Sequence, residues 1–207
     1  MKRILLILLF SFAIIQIQAQ VTPIYFKGEK TTTNKNEATS YAIYGKLSTE
    51  ELWVFKRYDL WDNLIQTGSY SDDQLTTPHG KFTFYMDLAS FNESHLTAYR
   101  LKGKTRFKSQ EGTFVNGLEH GRWLLFYPDG NLLNVQDFVN GKAHGDFITF
   151  DKYGKIVIRG IYTDGEREGE WLFESGAKKV IYEKGVAKSS TNVEKQKKEK
   201  KTPDKTS

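Results

Sequence analysis

Histidines are the residues of this chain best suited to chemistry, because a neutral imidazole binds transition metals and can act as a general base. Three of the four, His79, His120 and His144, stand directly before a glycine in a recurring pattern, and Glu168 takes that place in the last copy. Equivalent positions on successive hairpins lie about 10 Å apart, two strand spacings, whereas zinc ligands lie about 2 Å from one ion. We therefore predict no metal site and no cofactor.

Other catalytic patterns are weak. The sequence has neither the G-x-S-x-G elbow of a hydrolase nor a G-x-x-x-x-G-K-[ST] phosphate loop. Asp72 and Asp73, and the series Glu166, Glu168 and Glu170, carry the carboxylates that glycoside hydrolysis requires. Glycines interrupt the segment on which the glutamates would align, so a solvated polar edge is the better interpretation. The sequence predicts a protein that is not an enzyme.

A repeat of 24 residues organises the stretch from Gly112 to Gly185. Each unit has an Asn-Gly or Asp-Gly pair, a second glycine and then a large ring. Because Asn-Gly and Asp-Gly favour the two-residue turn of a β-hairpin, each unit predicts two antiparallel strands, and the whole an all-β antiparallel meander. The repeat positions are Gly117, Gly121 and Trp123, then Gly141, Gly145 and Phe147, then Gly165, Gly169 and Trp171.

The rings and glycines of the units predict how the sheet packs. Residues two strands apart share a face, so the rings should form two stripes. The second glycine of each unit should either leave room for a neighbouring ring or kink the strand. The first stripe is Trp123, Phe147 and Trp171, and the second is Phe114, Phe138 and Tyr162.

The segments FVNGLEHGRW, FVNGKAHGDF and YTDGEREGEW resemble MORN repeats, and more closely the variant found in bacterial proteins labelled antitoxin components. The resemblance covers Gly112 to Gly185 strongly and Trp53 to Phe82 weakly. It implies an elongated, curled, single-layer β-sheet of hairpin repeats with a binding or scaffolding role.

The repeat is interrupted once, by about 17 residues from Leu88 to Lys104. Alternation from His95 to Arg106 predicts an extended hairpin with Lys102 and Gly103 at its tip. An insertion in a repeat often carries function, and the alternative is a tolerated surface loop. The candidate binding residues of the insertion are Phe91, His95, Tyr99 and Arg100.

The two ends of the chain differ from the repeat. Residues 1–19 have the basic start, short apolar run and small final residue of a secretory signal peptide. We predict a polar linker at 20–40, the repeat domain at 41–185 and a disordered Lys-rich tail at 186–207. The alternative for the linker is that its apolar cluster, Ile24 to Phe26, forms one short early strand. There is no cysteine and therefore no disulfide. The prediction is an exported bacterial protein, either in the periplasm or cell envelope or outside the cell.

Charge argues against nucleic acid as a partner. The net charge is +5, but residues 20–185 carry 21 basic and 22 acidic side chains, so the excess lies in the ends. We predict a scaffold that binds a protein partner in the cell envelope. The alternative is surface adhesion, either to a membrane through the lysines of the tail or to polysaccharide through Tyr85, Tyr127 and Tyr153.

Overall fold

Antiparallel strands form one open, single-layer sheet in the computed structural model, which describes residues 23–46 and 51–193. Neighbouring strands follow chain order except that β1 lies between β2 and β3. The prediction of an all-β antiparallel meander is confirmed. The elements are β1 (Ile24–Lys27), β2 (Lys30–Thr32), β3 (Ser40–Lys46), β4 (Trp53–Asp59), β5 (Leu64–Tyr70), β6 (Gly80–Asp87), α1 (Leu88–His95), β7 (Arg106–Val115), β8 (Leu118–Phe126), β9 (Leu132–Val139), β10 (Lys142–Phe150), β11 (Ile156–Thr163), β12 (Glu166–Phe173), β13 (Lys178–Glu183) and β14 (Val186–Asn192), with short 3-10 helices at Lys35–Glu37 and Glu174–Gly176.

The rings of the repeat stand side by side on one face of the sheet. Trp123 meets Phe114 at 5.0 Å and Phe138 at 6.4 Å between ring centroids, and Tyr162 meets Trp171 at 5.0 Å, all edge-to-face. The two predicted stripes are therefore interleaved members of one row, because successive strands contribute alternately to it. Each such pair contributes about 0.5–1.5 kcal/mol beyond its buried area.

Two glycines make this row possible. A Cβ at Gly112 would lie 2.0 Å from Trp123 Cδ2, and one at Gly160 would lie 2.2 Å from Trp171 Cδ2. Each indole therefore lies directly on the backbone of the preceding strand and is fully buried. In the middle unit the corresponding position is Gln136, and Phe147 is only half-buried.

The second glycine of each unit kinks its strand. Gly121, Gly145 and Gly169 have φ of 70°, 104° and 67°, and the strand ladder shifts register beside each of them. No atom lies within 4 Å of a Cβ built on Gly121 or Gly169. Of the two predicted roles the kink is confirmed, whereas space for a ring is provided by Gly112 and Gly160.

The segment predicted as a polar linker at 20–40 belongs to the sheet from Ile24 onward. Its apolar cluster forms β1, which was the alternative to a linker, and β2 was not expected. Phe26 packs edge-on against Phe55 with 6.1 Å between centroids. The buried Arg57 guanidinium lies 4.4 Å from the Phe26 ring and donates to Glu29 Oε2 at 2.8 Å. One ring and an ion pair between a buried guanidinium and an exposed carboxylate hold a segment whose composition is mostly polar.

The predicted disorder after Gly185 is wrong for Val186–Asn192, which forms β14. Lys184 and Gly185, with φ of 48° and 75°, build the same kind of turn as the Asn-Gly pairs. All of β14 is exposed, so backbone pairing with β13 holds it. The predicted signal peptide and residues 194–207 lie outside the described residues.

Candidate functional site

The turns of the meander lie along two opposite edges of the sheet. The Asn-Gly edge comprises residues 71–79, 116–117, 140–141, 164–165 and 184–185. The insertion edge comprises residues 60–63, 88–105, 127–131, 151–155 and 174–177. The two edges use their polar groups differently, and that difference locates the candidate site.

At the Asn-Gly edge each turn binds the hairpin before it. The amides of Gly117, Gly141 and Gly165 donate to the carbonyls of Pro78, Glu119 and Ala143 at 2.8–2.9 Å. The recurring histidine acts in the same place: Nδ1 of His79 accepts from the amide of Asn116, and Nδ1 of His144 from that of Asp164, both at 3.4 Å. Glu168 accepts from the amide of Lys184 at 2.8 Å. The histidines at this edge therefore support turns, and no three titratable side chains of the described residues could together hold a metal ion.

The insertion is a helix and an ordered loop, not the predicted hairpin. Asp87 caps α1 by accepting from the amide of Ser90 at 3.0 Å, and these hydrogen bonds lower the pKa of the Asp87 carboxyl. At the base of the insertion the Leu88 amide donates to the Thr105 carbonyl at 2.7 Å. Asp87 and Arg106 are partners in the ladder, so the insertion begins and ends on adjacent strands.

Phe91, a predicted binding residue, instead anchors the insertion. It is 2 % exposed and meets Phe107 at 5.2 Å and Tyr127 at 6.2 Å between centroids, both edge-on. The ring of His95 stacks on Phe91 at 4.0 Å, and His95 Nδ1 lies 3.1 Å from the Phe91 carbonyl. Phe91 therefore fixes α1 on the sheet, and the exposed His95 ring covers Phe91 from within the helix.

Asn92 fixes the loop that follows α1. Its Nδ2 donates to the Tyr99 carbonyl at 3.0 Å, and its Oδ1 accepts from the Tyr99 amide at 2.8 Å and the Thr97 hydroxyl at 2.9 Å. Asn92 also begins an Asn-Glu-Ser sequon, but its amide is committed to these contacts. The loop is therefore held in one conformation before any partner arrives.

The other two predicted binding residues lie in this fixed loop. Arg100 is exposed, and Tyr99 is half-buried with its ring 6.1 Å from that of Tyr127. Burial raises the pKa of the Tyr99 hydroxyl. Residues 96–99 and Lys152, from the turn between β10 and β11, line one cleft of about 480 Å³. The structure thus brings the insertion together with a turn that lies 50 residues later in the chain.

Leu96 is the most unusual residue of the insertion. It ends α1 in the left-handed conformation, with φ 52° and ψ 46°, and it is 94 % exposed. Glycine or asparagine usually takes this position, and a residue with a Cβ costs about 1–2 kcal/mol there. A leucine that adds strain and contributes almost no packing is better explained by binding than by folding.

Besides Leu96, two exposed aromatic rings lie on the insertion edge. Trp61 is 81 % and Tyr153 is 82 % exposed, and with Leu96 they are the most exposed large apolar side chains of the described residues. Both occupy the third position of the same kind of turn. Asp59 Oδ1 accepts from the Trp61 amide as Asp151 Oδ1 does from the Tyr153 amide, each at 2.9 Å.

Sequence reasoning missed Trp61, Asn92 and Lys152. The shared turn pattern of DLWDN and DKYGK, an aspartate two residues before an aromatic residue, could have paired Trp61 with Tyr153. Nothing local marks Asn92 or Lys152, because their roles depend on contacts between distant segments. Of the aromatic residues predicted for adhesion, Tyr85 and Tyr127 are half-buried and only Tyr153 is exposed.

Neither a protein-family model nor a curated protein matches this chain. Within residues 23–46 and 51–193, no helix has both the length and the apolar character needed to cross a membrane.

Proposed function

We propose that this chain is a non-enzymatic MORN-like scaffold that binds a protein partner in the bacterial cell envelope through its insertion edge. One observation carries the proposal. The three most exposed large apolar side chains of the described residues, Leu96, Tyr153 and Trp61, all lie on this edge. Exposed apolar groups that adjoin one another are typical of interaction sites, and Leu96 and Tyr153 belong to the two segments that line one cleft.

The rigidity of the edge supports the same function. The Asn92 contacts fix the loop, Phe91 anchors the helix, and Asp59 and Asp151 fix the turns that carry the rings. A surface that is ordered before binding loses less conformational entropy when a partner docks.

The MORN resemblance is proposed on the residues themselves. The 24-residue step with Asn-Gly turns, a kink glycine and a ring recurs three times, and these positions serve turn stacking and ring packing. A binding role therefore belongs to the part of the chain that departs from the repeat.

Site-directed photo-crosslinking in the native envelope fraction tests the function. A photoreactive residue at position 96 or 153 should give one discrete crosslinked protein. The matched control places it at position 118 or 139, because Leu118 and Val139 are 47 % and 43 % exposed at the Asn-Gly edge and should give none. The same product from both edges, or none from the insertion edge, would overturn the proposal.

A second variant separates binding from folding. Replacement of residues 88–105 by Asn-Gly would close β6 and β7 with a hairpin turn, because Asp87 and Arg106 already pair. We expect this variant to keep the cooperative unfolding of the sheet and to lose the crosslink at position 153. Retention of that crosslink would show that the insertion is not part of the binding surface.

Adhesion to polysaccharide is the second candidate, favoured by the exposure of Tyr153 and Trp61, because aromatic faces stack on sugar rings. Binding of the chain to isolated cell-wall polysaccharide, lost in a Trp61→Ala, Tyr153→Ala variant, would support adhesion. Unchanged binding by that variant would exclude these rings from it.

A further inference from the structure

We propose that the cleft between residues 96–99 and Lys152 binds an acidic peptide segment that carries a large apolar side chain. This inference rests on the function proposed above and specifies the chemistry of the partner. Two properties lead to it, the apolar side chains that line the cleft and a group of exposed cations in the segments that form it.

The apolar part is formed by Leu96, Ala98 and Tyr99, with the exposed ring of Tyr153 next to Lys152. The volume of about 480 Å³ lies in the range of small binding sites and is enough for one large side chain with the backbone beside it. Because the Tyr99 backbone is fixed by Asn92 on both its amide and its carbonyl, the cleft exists without a ligand.

The charged part consists of five exposed cations in the insertion and the adjoining turn. In the described part of the chain none of them forms an ion pair. They are Arg100, Lys102, Lys104, Lys152 and Lys155.

Three carboxylates in the same segments offset part of this charge. Asp151 accepts from the amides of Tyr153 and Lys155 at 2.9 Å each, and Asp129 accepts from the amide of Asn131 at 3.1 Å, but bonds from neutral amides do not remove a carboxylate charge. Residues 88–105, 127–131 and 151–155 together carry five basic and three acidic side chains, a net charge of +2, although residues 20–185 as a whole are close to neutral.

A peptide fits this combination better than a lipid surface or a polysaccharide does. Lys152 lines the cleft, and the other four cations lie in the two segments that form it, which suits one side chain flanked by carboxylates. A membrane surface would need the cations and apolar groups on a shared plane, and a polysaccharide would leave the leucine without a partner. Complementary charge should also speed association and make it dependent on salt.

The test measures fluorescence anisotropy with the full chain and three labelled nine-residue peptides. The first has a central Leu-Phe flanked by Asp and Glu, the second replaces Leu-Phe with Ser-Ser, and the third replaces the acidic residues with Lys. We expect saturable binding of the first peptide alone, weakened at least tenfold between 50 and about 300 mM salt. Equal binding of the Ser-Ser peptide would overturn the apolar part of the inference, and binding of the Lys peptide would overturn the charged part.

Variants with equal charge changes localise the site. The pair Arg100→Glu, Lys152→Glu should weaken the first peptide at least tenfold. The pair Lys30→Glu, Lys142→Glu, which alters exposed lysines elsewhere, should leave its affinity within about twofold. Leu96→Ser should also weaken binding at least tenfold without a change of charge. Equal losses of peptide affinity in the two charge-reversal variants would show nonspecific electrostatic attraction and would overturn the proposed site.

Competition distinguishes the other occupants. The competitors are vesicles of anionic phospholipid and an anionic polysaccharide, compared at equal charge concentration. If either displaced the peptide and bound the chain more tightly, a peptide would not be the ligand and the inference would be overturned. If position 96 crosslinks to an envelope protein but the acidic peptide does not bind, this inference fails and the scaffold function stands. If neither occurs, both fail.

Discussion

The Asn-Gly edge and the insertion edge are built from similar turns, but their hydrogen bonds go to different places. At the Asn-Gly edge the amides of Gly117, Gly141 and Gly165 donate to carbonyls of the preceding hairpin. At the insertion edge the backbone bonds of the turns stay within each turn, as in the donation from Asp151 to Lys155 and from Gly154 to Asp151. A turn at the first edge is therefore tied to its neighbour through the backbone, whereas turns at the second edge meet mainly through side chains, as where the Tyr127 hydroxyl donates to the Phe150 carbonyl at 2.9 Å.

This difference explains where the chain can vary. A change in one Asn-Gly turn removes a partner from the adjacent hairpin, so the residue types there recur at a fixed step. A self-contained turn can be lengthened without loss to its neighbours, and the insertion lies at that edge. The sheet is thus constrained along one edge and free to present different side chains along the other.

The largest expected effect is that of Phe91→Ala, which removes the anchor of the insertion. Because Phe91 is buried against Phe107 and Tyr127, the loss should lower the local free energy of opening by about 3 kcal/mol. Hydrogen exchange should detect it at the amides of Leu96 and Thr97, which bond within the insertion.

If the two edges are independent, the amides of Gly141 and Gly165 should keep their protection in Phe91→Ala. The matched control is His95→Ala, which removes a ring that lies more in solvent and should have a smaller effect. Loss of protection at both edges in Phe91→Ala would contradict the independence of the insertion edge.

The second effect comes from placing the same three residues, Gly-Ser-Gly, into a turn of each edge. Between Asn140 and Gly141 they displace the Gly141 amide from Glu119 and disturb Ala143, which accepts from Gly165. We expect a loss of about 2 kcal/mol in the free energy of unfolding, because each such bond contributes about 1 kcal/mol.

Between Lys152 and Tyr153 the same insert breaks bonds within one exposed turn, as from Gly154 to Asp151, and none of the backbone bonds to a neighbouring hairpin. We expect a smaller loss of about 1 kcal/mol, because water replaces these bonds and lengthening the loop has only a small entropic cost. Urea denaturation of the two variants measures the difference. Equal shifts of the midpoint would refute the distinction between the edges.

The smallest expected effect is a dependence of the Trp61 turn on pH. Burial opposes ionisation of Asp59, but hydrogen bonds from Asn63 and Trp61 and the charge of Arg106 outweigh it and lower the pKa of the Asp59 carboxyl. Because this pKa is lower in the folded state, the ionised Asp59 carboxylate stabilises the fold at pH values above the unfolded pKa of about 4. This stabilisation is lost as the pH falls through the lowered pKa of the folded state.

Acidification from pH 5 to about 3 should therefore loosen the Trp61 turn, because Asp59 holds it. Amides of the Asn-Gly edge that donate to backbone carbonyls should be unaffected, since those acceptors do not titrate. Tryptophan fluorescence of Trp61 against pH, with the other three tryptophans changed to Phe, would measure the transition. An Asp59→Asn variant that kept the transition would assign it elsewhere.

Much of the fold follows from local sequence signals. The Asn-Gly pairs, the kink glycines and the alternating rings predict the strands and turns from β7 to β12, because each signal acts within a few residues. The same reasoning failed at the two ends of the sheet for different reasons. The segment at β1 depends on the distant Arg57, whereas β14 follows a Lys-Gly pair that is only a weak turn signal.

The interruption of the repeat was predictable, but the roles of its residues were not. The sequence marked Leu88 to Lys104, and the structure has a separate helix and loop there; that this unit binds a partner stays a prediction. The roles within it differed: Phe91 and His95 pack, Tyr99 lines the cleft, Arg100 is exposed, and Trp61 and Lys152 join from other turns.

The sequence by itself determined that this chain forms stacked hairpins, because turn geometry and ring spacing depend on residues that are close together along the chain. Only the tertiary structure decided which edge is constrained and which is free. That difference lies in hydrogen bonds between hairpins about 24 residues apart and in the packing of Phe91 on rings from two other strands. Such contacts exist only when the sheet has formed.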